Sequence, residues 1–405
     1  MLPDSSRQIA ARIAIGPWNF YFLAVLYFDH NATSPLHPAA KEAWSEAVDR
    51  YVGNPSSPHR IGDRADKALD EAREKLAGFL GCHPADIVWT SGATESNNVV
   101  IHHAVQSGPE FSTFWVSAIE HPSVIEPTKH HFRKRNMLLP PNEDGVVSID
   151  RLAETLKKRR PAVVGLMASN NETGALQPWR EALAVCRENN VQFFCDATQW
   201  LGKLPASGFG ECDFVSGSAH KFGGPRGVGF LKCPGGSVDP LFLGGSQEEG
   251  RRAGTENVPG VLAMIKALEV REAQLSAGDQ EERNTRRDQF VESLRERIDG
   301  VELVAQDSNR MWNTVSVLMP QVDCQQRWVV KLDKAGFAVS TGSACASGKE
   351  EPSHVLTAMK YSPKDAGRVL RFSSGWETTK EDWEALLEGV VQVNGEMRQE
   401  QTPVL

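Results

Sequence analysis

The stretch Ser216-Gly217-Ser218-Ala219-His220-Lys221-Phe222-Gly223-Gly224-Pro225 sets one lysine between small or polar residues and a glycine-rich turn. The apolar Asp213-Phe214-Val215 run leads into it, and Gly227-Val228-Gly229-Phe230-Leu231 follows as a second buried strand. A lysine held between core strands is costly unless its amine is neutral or covalently used. A Schiff-base lysine, its nitrogen tied to a carbonyl cofactor, meets that condition. A loop lysine contacting a carboxylate fits the same pattern, so this stretch alone leaves both readings open.

Outward from it, continuous apolar runs alternate with amphipathic segments. Strands are predicted at 87–90, 113–118, 162–168 and 191–196, and helices at 38–51, 63–80, from Val99 onward and at 178–189. Such alternation predicts a mainly parallel sheet covered on both faces, with ligands bound at the C-terminal ends of its strands. Residues 258–298 read as one long charged helical stretch bridging into a second domain. Beyond it, strands at 314–318, 338–340 and 368–373 and helices at 323–335 and 380–397 form a smaller α+β unit.

The 405 residues suffice for one large core and a second smaller one, and the formal charge of −8 is spread out, which excludes a nucleic-acid footprint. The seven cysteines are odd in number, follow no CxxC spacing and are sparse for the length. They imply a reducing, cytoplasmic setting, at most one chemically used cysteine, and no metal site. Near the N-terminus, 13–28 is apolar and aromatic but interrupted by Gly16, Pro17 and Asn19, and too short for a spanning helix. It reads as a soluble extension or as a start assigned too far upstream, with a weak signal peptide or a short anchor as the alternative.

Three features then fall in order. The turn Ser91-Gly92-Ala93-Thr94-Glu95-Ser96-Asn97-Asn98, between a strand and a helix, has the form of an anion cup, with Thr94 adding a hydroxyl; the plainer reading is a Ser/Thr helix cap. Asp196 ends a strand, and Lys221 follows. A carboxylate, a Schiff-base lysine and an anion cup are what pyridoxal phosphate requires, the carboxylate keeping the ring nitrogen protonated. His121, at the end of another strand, could stack on the ring and move protons. Gly53-Asn54-Pro55-Ser56-Ser57-Pro58-His59 is a rigid loop or a plain connector. Cys345, in Ser340-Thr341-Gly342-Ser343-Ala344-Cys345-Ala346-Ser347-Gly348, stands on a small-residue loop suited to an exposed thiol, whereas Cys186 and Cys195 lie in apolar runs as core thiols. Arg371, in an apolar strand, needs an anionic partner: a substrate carboxylate or a structural Asp or Glu.

These motifs, with Asp29-His30-Asn31-Ala32-Thr33, Glu120-His121-Pro122, Asn170-Asn171-Glu172-Thr173-Gly174, Asp196-Ala197-Thr198-Gln199 and Gly254-Thr255-Glu256-Asn257, resemble the cysteine desulfurases of the class V aminotransferase-like group. The resemblance runs from about Tyr27 to about Leu386, and the loop from Cys345 to Ser353 is similar to the longer catalytic loop of the first desulfurase group. Local departures are Ser374-Gly375-Trp376, Arg226 in place of a frequent lysine, the N-terminal extension and the short tail.

The resemblance implies a PLP-transferase fold of the aspartate aminotransferase type. Its large domain, 34–275, would carry a mainly parallel seven-stranded sheet, and 27–33 with 276–405 would form the smaller domain bearing the Cys loop, after an extension at 1–26. It implies that Lys221 carries the cofactor and later deprotonates substrate Cα, while Asp196 pairs with the pyridine nitrogen, Gln199 with the ring hydroxyl, and His121 stacks. Ala93, Thr94, Ser218 and His220 would hold the phosphate, with Thr255 from the other subunit of a homodimer. Asn171 and Arg371, with Asn54 beside them, would bind the carboxylate of L-cysteine. Cys345 would take the sulfur as a persulfide, releasing alanine, and pass it to a protein acceptor, either an iron–sulfur scaffold or a thiolation carrier. Rival readings are a selenocysteine lyase, a class V aminotransferase or epimerase that does not use Cys345, and a catalytically silent sulfur carrier or scaffold.

Overall fold

The structure is a computed structural model that describes residues 25–108, 112–236, 238–321, 325–341 and 352–400. The expected extension, as far as residue 24, lies outside the described residues, as do Cys324, Cys345 and the rest of 342–351. The described chain divides into two compact units. One comprises Thr33–Asn171 and Leu176–Gly278; the other comprises the chain up to Ala32, Glu172–Ala175 and Asp279 onward.

The first unit is built on a seven-stranded sheet. Its spatial order is Ile87–Thr90, Gly229–Lys232, Phe214–Ser218, Gln192–Asp196, Val163–Gly165, Phe114–Ser117, Asn136–Leu139. Only Gly229–Lys232 runs against the others. The inner strands are buried along their length apart from Gln192, which is why they read as apolar runs. Aligned direction brings Ser117, Asp196, Ser218 and the turn after Thr90 to one edge of the sheet, where open α/β sheets take ligands.

Three boundaries differ from expectation. The helix predicted from Val99 begins at Ala93 and runs to Ser107, and polar side chains in its first turns are held by distant partners: Glu95 by Arg252, Ser96 by Phe230 O and Asn97 by Asp196. The stretch 258–298 is two helices, Val258–Ser276 and Gln280–Arg297, interrupted at Gly278 with φ of 92°. The strand 338–340 is two short strands serving different sheets: Phe337–Ala338 pairs with Leu26–Tyr27, and Ser340–Thr341 pairs with Val369–Ser373.

The second unit holds an antiparallel four-stranded sheet, ordered Ser340–Thr341, Val369–Ser373, Thr314–Leu318, Glu302–Leu303. Helices Gln280–Arg297 and Lys380–Glu400 pack on it around Phe290, Phe372, Trp383 and Leu386. Glu172–Ala175 joins this unit although both its flanks belong to the other. Ala175 bridges Arg310, and a Cβ on Gly174 would come within 2.8 Å of Thr314 Cβ, so this glycine seats the segment against the strand.

Candidate active site

Lys221 ends a short turn, Ala219–Lys221, that connects two paired strands, Phe214–Ser218 and Gly229–Lys232. It is half-buried, and its carbonyl accepts from Ser34 Oγ at 3.0 Å. His220 beside it bonds Thr33 Oγ1 at 3.1 Å. Burial, then the charges of Lys221, Arg226 and Lys203, push the His220 pKa down to about 4, so its ring is neutral at physiological pH.

Asp196 is the hub of a buried network. Its Oδ1 accepts from Thr198 N–H at 2.9 Å and its Oδ2 from Asn97 Nδ2 at 3.0 Å. The same Asn97 amide donates to Ser123 Oγ at 2.9 Å, and Ser123 Oγ lies 2.8 Å from His121 Nδ1. Because Ser123 N–H also points at His121 Nδ1, at 3.1 Å, that nitrogen is an acceptor and the neutral imidazole carries its proton on Nε2. A carboxylate and an imidazole at two strand ends are thereby tied through two side chains. Gln199 Oε1 accepts from buried Lys203 Nζ at 2.6 Å. Beneath the network, Glu120 accepts from Met167 N–H at 2.7 Å, and burial drives its pKa well above the ordinary range.

The expected anion cup has a specific form. Gly92 is the N-cap of helix Ala93–Ser107 and gives no side-chain cap, which removes the Ser/Thr-cap reading. Its φ of 148° suits only glycine, and a Cβ there would stand 3.3 Å from Ser218 Oγ. Ala93 and Thr94 thus open a helix next to Ser218, and among the described residues no carboxylate accepts from their N–H groups. Glu95, in the same turn, is engaged by Arg252. This donor set suits a phosphate.

The remaining predicted residues are placed less directly. Asn171 is half-buried in the loop beyond the Val163–Gly165 strand. Asn54 is exposed, and its Oδ1 accepts from Ser56 N–H at 2.9 Å, the turn-forming bond of a connector. Thr255 lines a cavity of about 140 Å³ with Ser91, Glu248 and Arg252. In the other unit, Arg371 is 1% exposed and donates from Nη2 to Asp29 Oδ1 at 2.7 Å, so a structural carboxylate is among its partners. Burial pushes Cys186 up to about 12 and Cys82 and Cys233 up to about 11, keeping these thiols protonated.

Sequence reasoning missed Asn97, Ser123 and Lys203. Asn97 lay inside the quoted cup stretch, and Lys203 follows Gln199 by four residues in an apolar run; a buried polar residue at either place was the available signal.

Residues 26–386 match the aminotransferase class-V family. The chain is 39% identical over 365 residues to the cysteine desulfurase IscS of Dictyoglomus turgidum, covering 88% of this chain and 91% of that protein. It is 35% identical to a cysteine desulfurase of Gluconacetobacter diazotrophicus, covering 92% and 94%. Among solved structures, a NifS-like protein matches with a TM-score of 0.83 and 31% identity, over 92% of this chain and all of that one. The structure of SspA in complex with cysteine matches with a TM-score of 0.74 and 30% identity, over 86% and 98%.

Proposed function

This chain belongs to the class-V aminotransferase family and is an enzyme of the cysteine desulfurase kind, and from that premise we propose the roles its residues take. Enzymes of this family work with pyridoxal 5′-phosphate, which supplies an electron sink for the pair left at Cα when a proton is removed. The observation that carries the assignment is the buried Asp196–Asn97–Ser123–His121 network. It supports a fixed carboxylate for the ring nitrogen and an imidazole of one tautomer to lie against the ring.

Ala93, Thr94, Ser218 and neutral His220 hold the phosphate, joined by Thr255 from a second copy. Exposed apolar Trp44, Val48, Val52 and Ile61 support a homodimer. Gln199 meets the ring hydroxyl, and Lys203 orients it. Lys221 anchors the cofactor and moves the proton at Cα of L-cysteine. Asn171 and Arg371 take the substrate carboxylate, with Asn54 nearby; Asp29 orients Arg371.

Cys345, as a thiolate, attacks the substrate sulfur. The S–S bond forms as the Cβ–S bond breaks, its electron pair goes to Cβ, and Cβ is protonated. L-Cysteine and one thiol therefore give L-alanine and a Cys345 persulfide, with no outside oxidant. The persulfide passes to a protein acceptor, an iron–sulfur scaffold or a thiolation carrier. Free thiols at the described cysteines support a reducing, cytoplasmic setting.

Persulfide labelling after addition of L-cysteine tests this reading. Wild type should label at Cys345, while Cys345→Ser and Lys221→Ala should not. Labelling that survives Lys221→Ala overturns the mechanism.

A further inference from the structure

The strand Ile87–Thr90 lies at the edge of the large sheet, so its outward backbone groups must find partners outside the ladder. They find them in two ion pairs. Arg73 donates to Ile87 O at 2.6 Å and grips Glu248 through both Nη atoms at 3.0 Å, and Glu248 Oε2 accepts from Trp89 N–H at 3.0 Å. Two residues on, Ser91 N–H donates to Glu95 Oε2 at 2.8 Å, and Arg252 holds Glu95 through Nε at 2.9 Å and Nη2 at 3.3 Å.

Both grips reach the short segment that ends at Gly92 and opens the helix at Ala93. The first draws on one distant turn, Gln247–Gly250, and the second on Arg252 two residues beyond it; in the turn Glu248 and Glu249 adopt left-handed conformations with φ of 49° and 56°. Two successive non-glycine residues in that region are strained and persist only where their surroundings hold them. Here the three bonds accepted by the Glu248 side chain do so, and the turn delivers Arg252 to Glu95.

We propose that Arg252 and Glu95, braced by Arg73 and Glu248, are positioning residues for the phosphate cup, and that Arg252 also cancels a carboxylate charge standing one turn from it. This rests on the reading of Ala93 and Thr94 as phosphate ligands. Glu95 lies three residues from the N-cap, yet its carboxylate takes the Ser91 N–H rather than the N–H groups of the helix's first turn. Without Arg252 it would be an uncompensated anion beside a phosphate dianion.

The test compares pyridoxal phosphate with pyridoxal, which lacks the phosphate, on the full chain stripped of cofactor and titrated by absorbance. Wild type should prefer the phosphorylated form, and Thr94→Val should lose much of that preference. Arg252→Ala should weaken pyridoxal phosphate binding on the order of tenfold and leave pyridoxal nearly unchanged. Glu95→Gln/Arg252→Ala, with both charges gone, should regain most of that loss. Arg252→Lys, which keeps the charge, should fall between and serves if the alanine variant does not fold. Equal weakening of both ligands by Arg252→Ala, or no regain in the double variant, overturns the proposal. A wild type without preference, and a Thr94→Val variant without effect, would instead overturn the phosphate reading beneath it.

Discussion

At Glu95 a buried carboxylate meets a guanidinium; at Glu172 a buried carboxyl meets a hydroxyl. Both side chains lie in the interior, and in both, burial is the largest influence and pushes the pKa up. At Glu95 the bonds from Arg252 and Ser91 outweigh it, and the carboxyl titrates below its ordinary range. At Glu172 the Ser353 hydroxyl bond and the more distant charge of Arg371 do not, and the pKa rises to about 7. Depth alone therefore does not decide whether a buried acid is charged; direct contact with a cation does. The charged acid stands in the first turn of helix Ala93–Ser107. The second, which changes charge near pH 7, lies in the other unit, bonded to the residue two positions after 342–351.

The comparison breaks most visibly at Glu248, which is built like Glu95. Its side chain is 1% exposed and paired with Arg73. Removing it leaves a half-buried guanidinium with only the exposed Asp70 carboxylate, at 4.0 Å, and Trp89 N–H without its acceptor. Glu248→Ala should cost about 3–5 kcal/mol in urea denaturation. Glu248→Gln should cost less, because the amide oxygen can still accept from Trp89 N–H. Replacing Arg73 and Glu248 together by methionine should cost less than the sum of the single losses. A loss under about 1 kcal/mol for Glu248→Ala would mean that the pair is no brace.

These pairs also mark where the sequence stopped being legible. The sheet could be read because strands such as Phe214–Ser218 are buried on both faces and leave an unbroken apolar run. The helix start at Ala93 could not, because Thr94-Glu95-Ser96-Asn97-Asn98 looks like a turn until the partners are known. Asn97 finds Asp196 across 99 positions, and Glu95 finds Arg252 across 157. The same limit applied to Arg371. An arginine in an apolar strand announces an anion, but Asp29, 342 positions away, is identified only by the fold. The candidate residues at strand ends could be named because strand ends can be read; the groups that hold them could not, because tertiary pairing chooses them.

The member of the comparison whose pKa is raised predicts a pH dependence. The folded state holds the Glu172 proton more tightly than the unfolded chain, so its contribution is fully present below about 4.5 and is lost as pH rises through about 7. At about 1.4 kcal/mol for each tenfold change in proton affinity, the rise from 4.5 to about 7 corresponds to about 3 kcal/mol. Between pH 4.5 and 8, wild type should lose up to that much stability relative to Glu172→Gln, whose profile should lack the step. Parallel profiles would mean that Glu172 is as well paired as Glu95.

The smallest effect belongs to Ser353, and it sharpens the comparison because this hydroxyl works twice. It donates to Glu172 Oε2 at 2.5 Å, and it caps helix His354–Ala358 by accepting from Leu356 N–H at 3.2 Å. Loss of the cap alone should cost Ser353→Ala about 1 kcal/mol at any pH. The bond to Glu172 adds a part that depends on charge, since a hydroxyl bonds an ionised carboxylate roughly twice as strongly as a neutral one. Ser353→Ala should therefore destabilise more at pH 8 than at pH 4.5, while Ser353→Thr should keep most of both terms. An equal cost at the two pH values would assign the whole effect to the cap. The charge of Glu172 would then be set by burial and Arg371 without the hydroxyl, and the contrast with Glu95 would reduce to the distance of the cation.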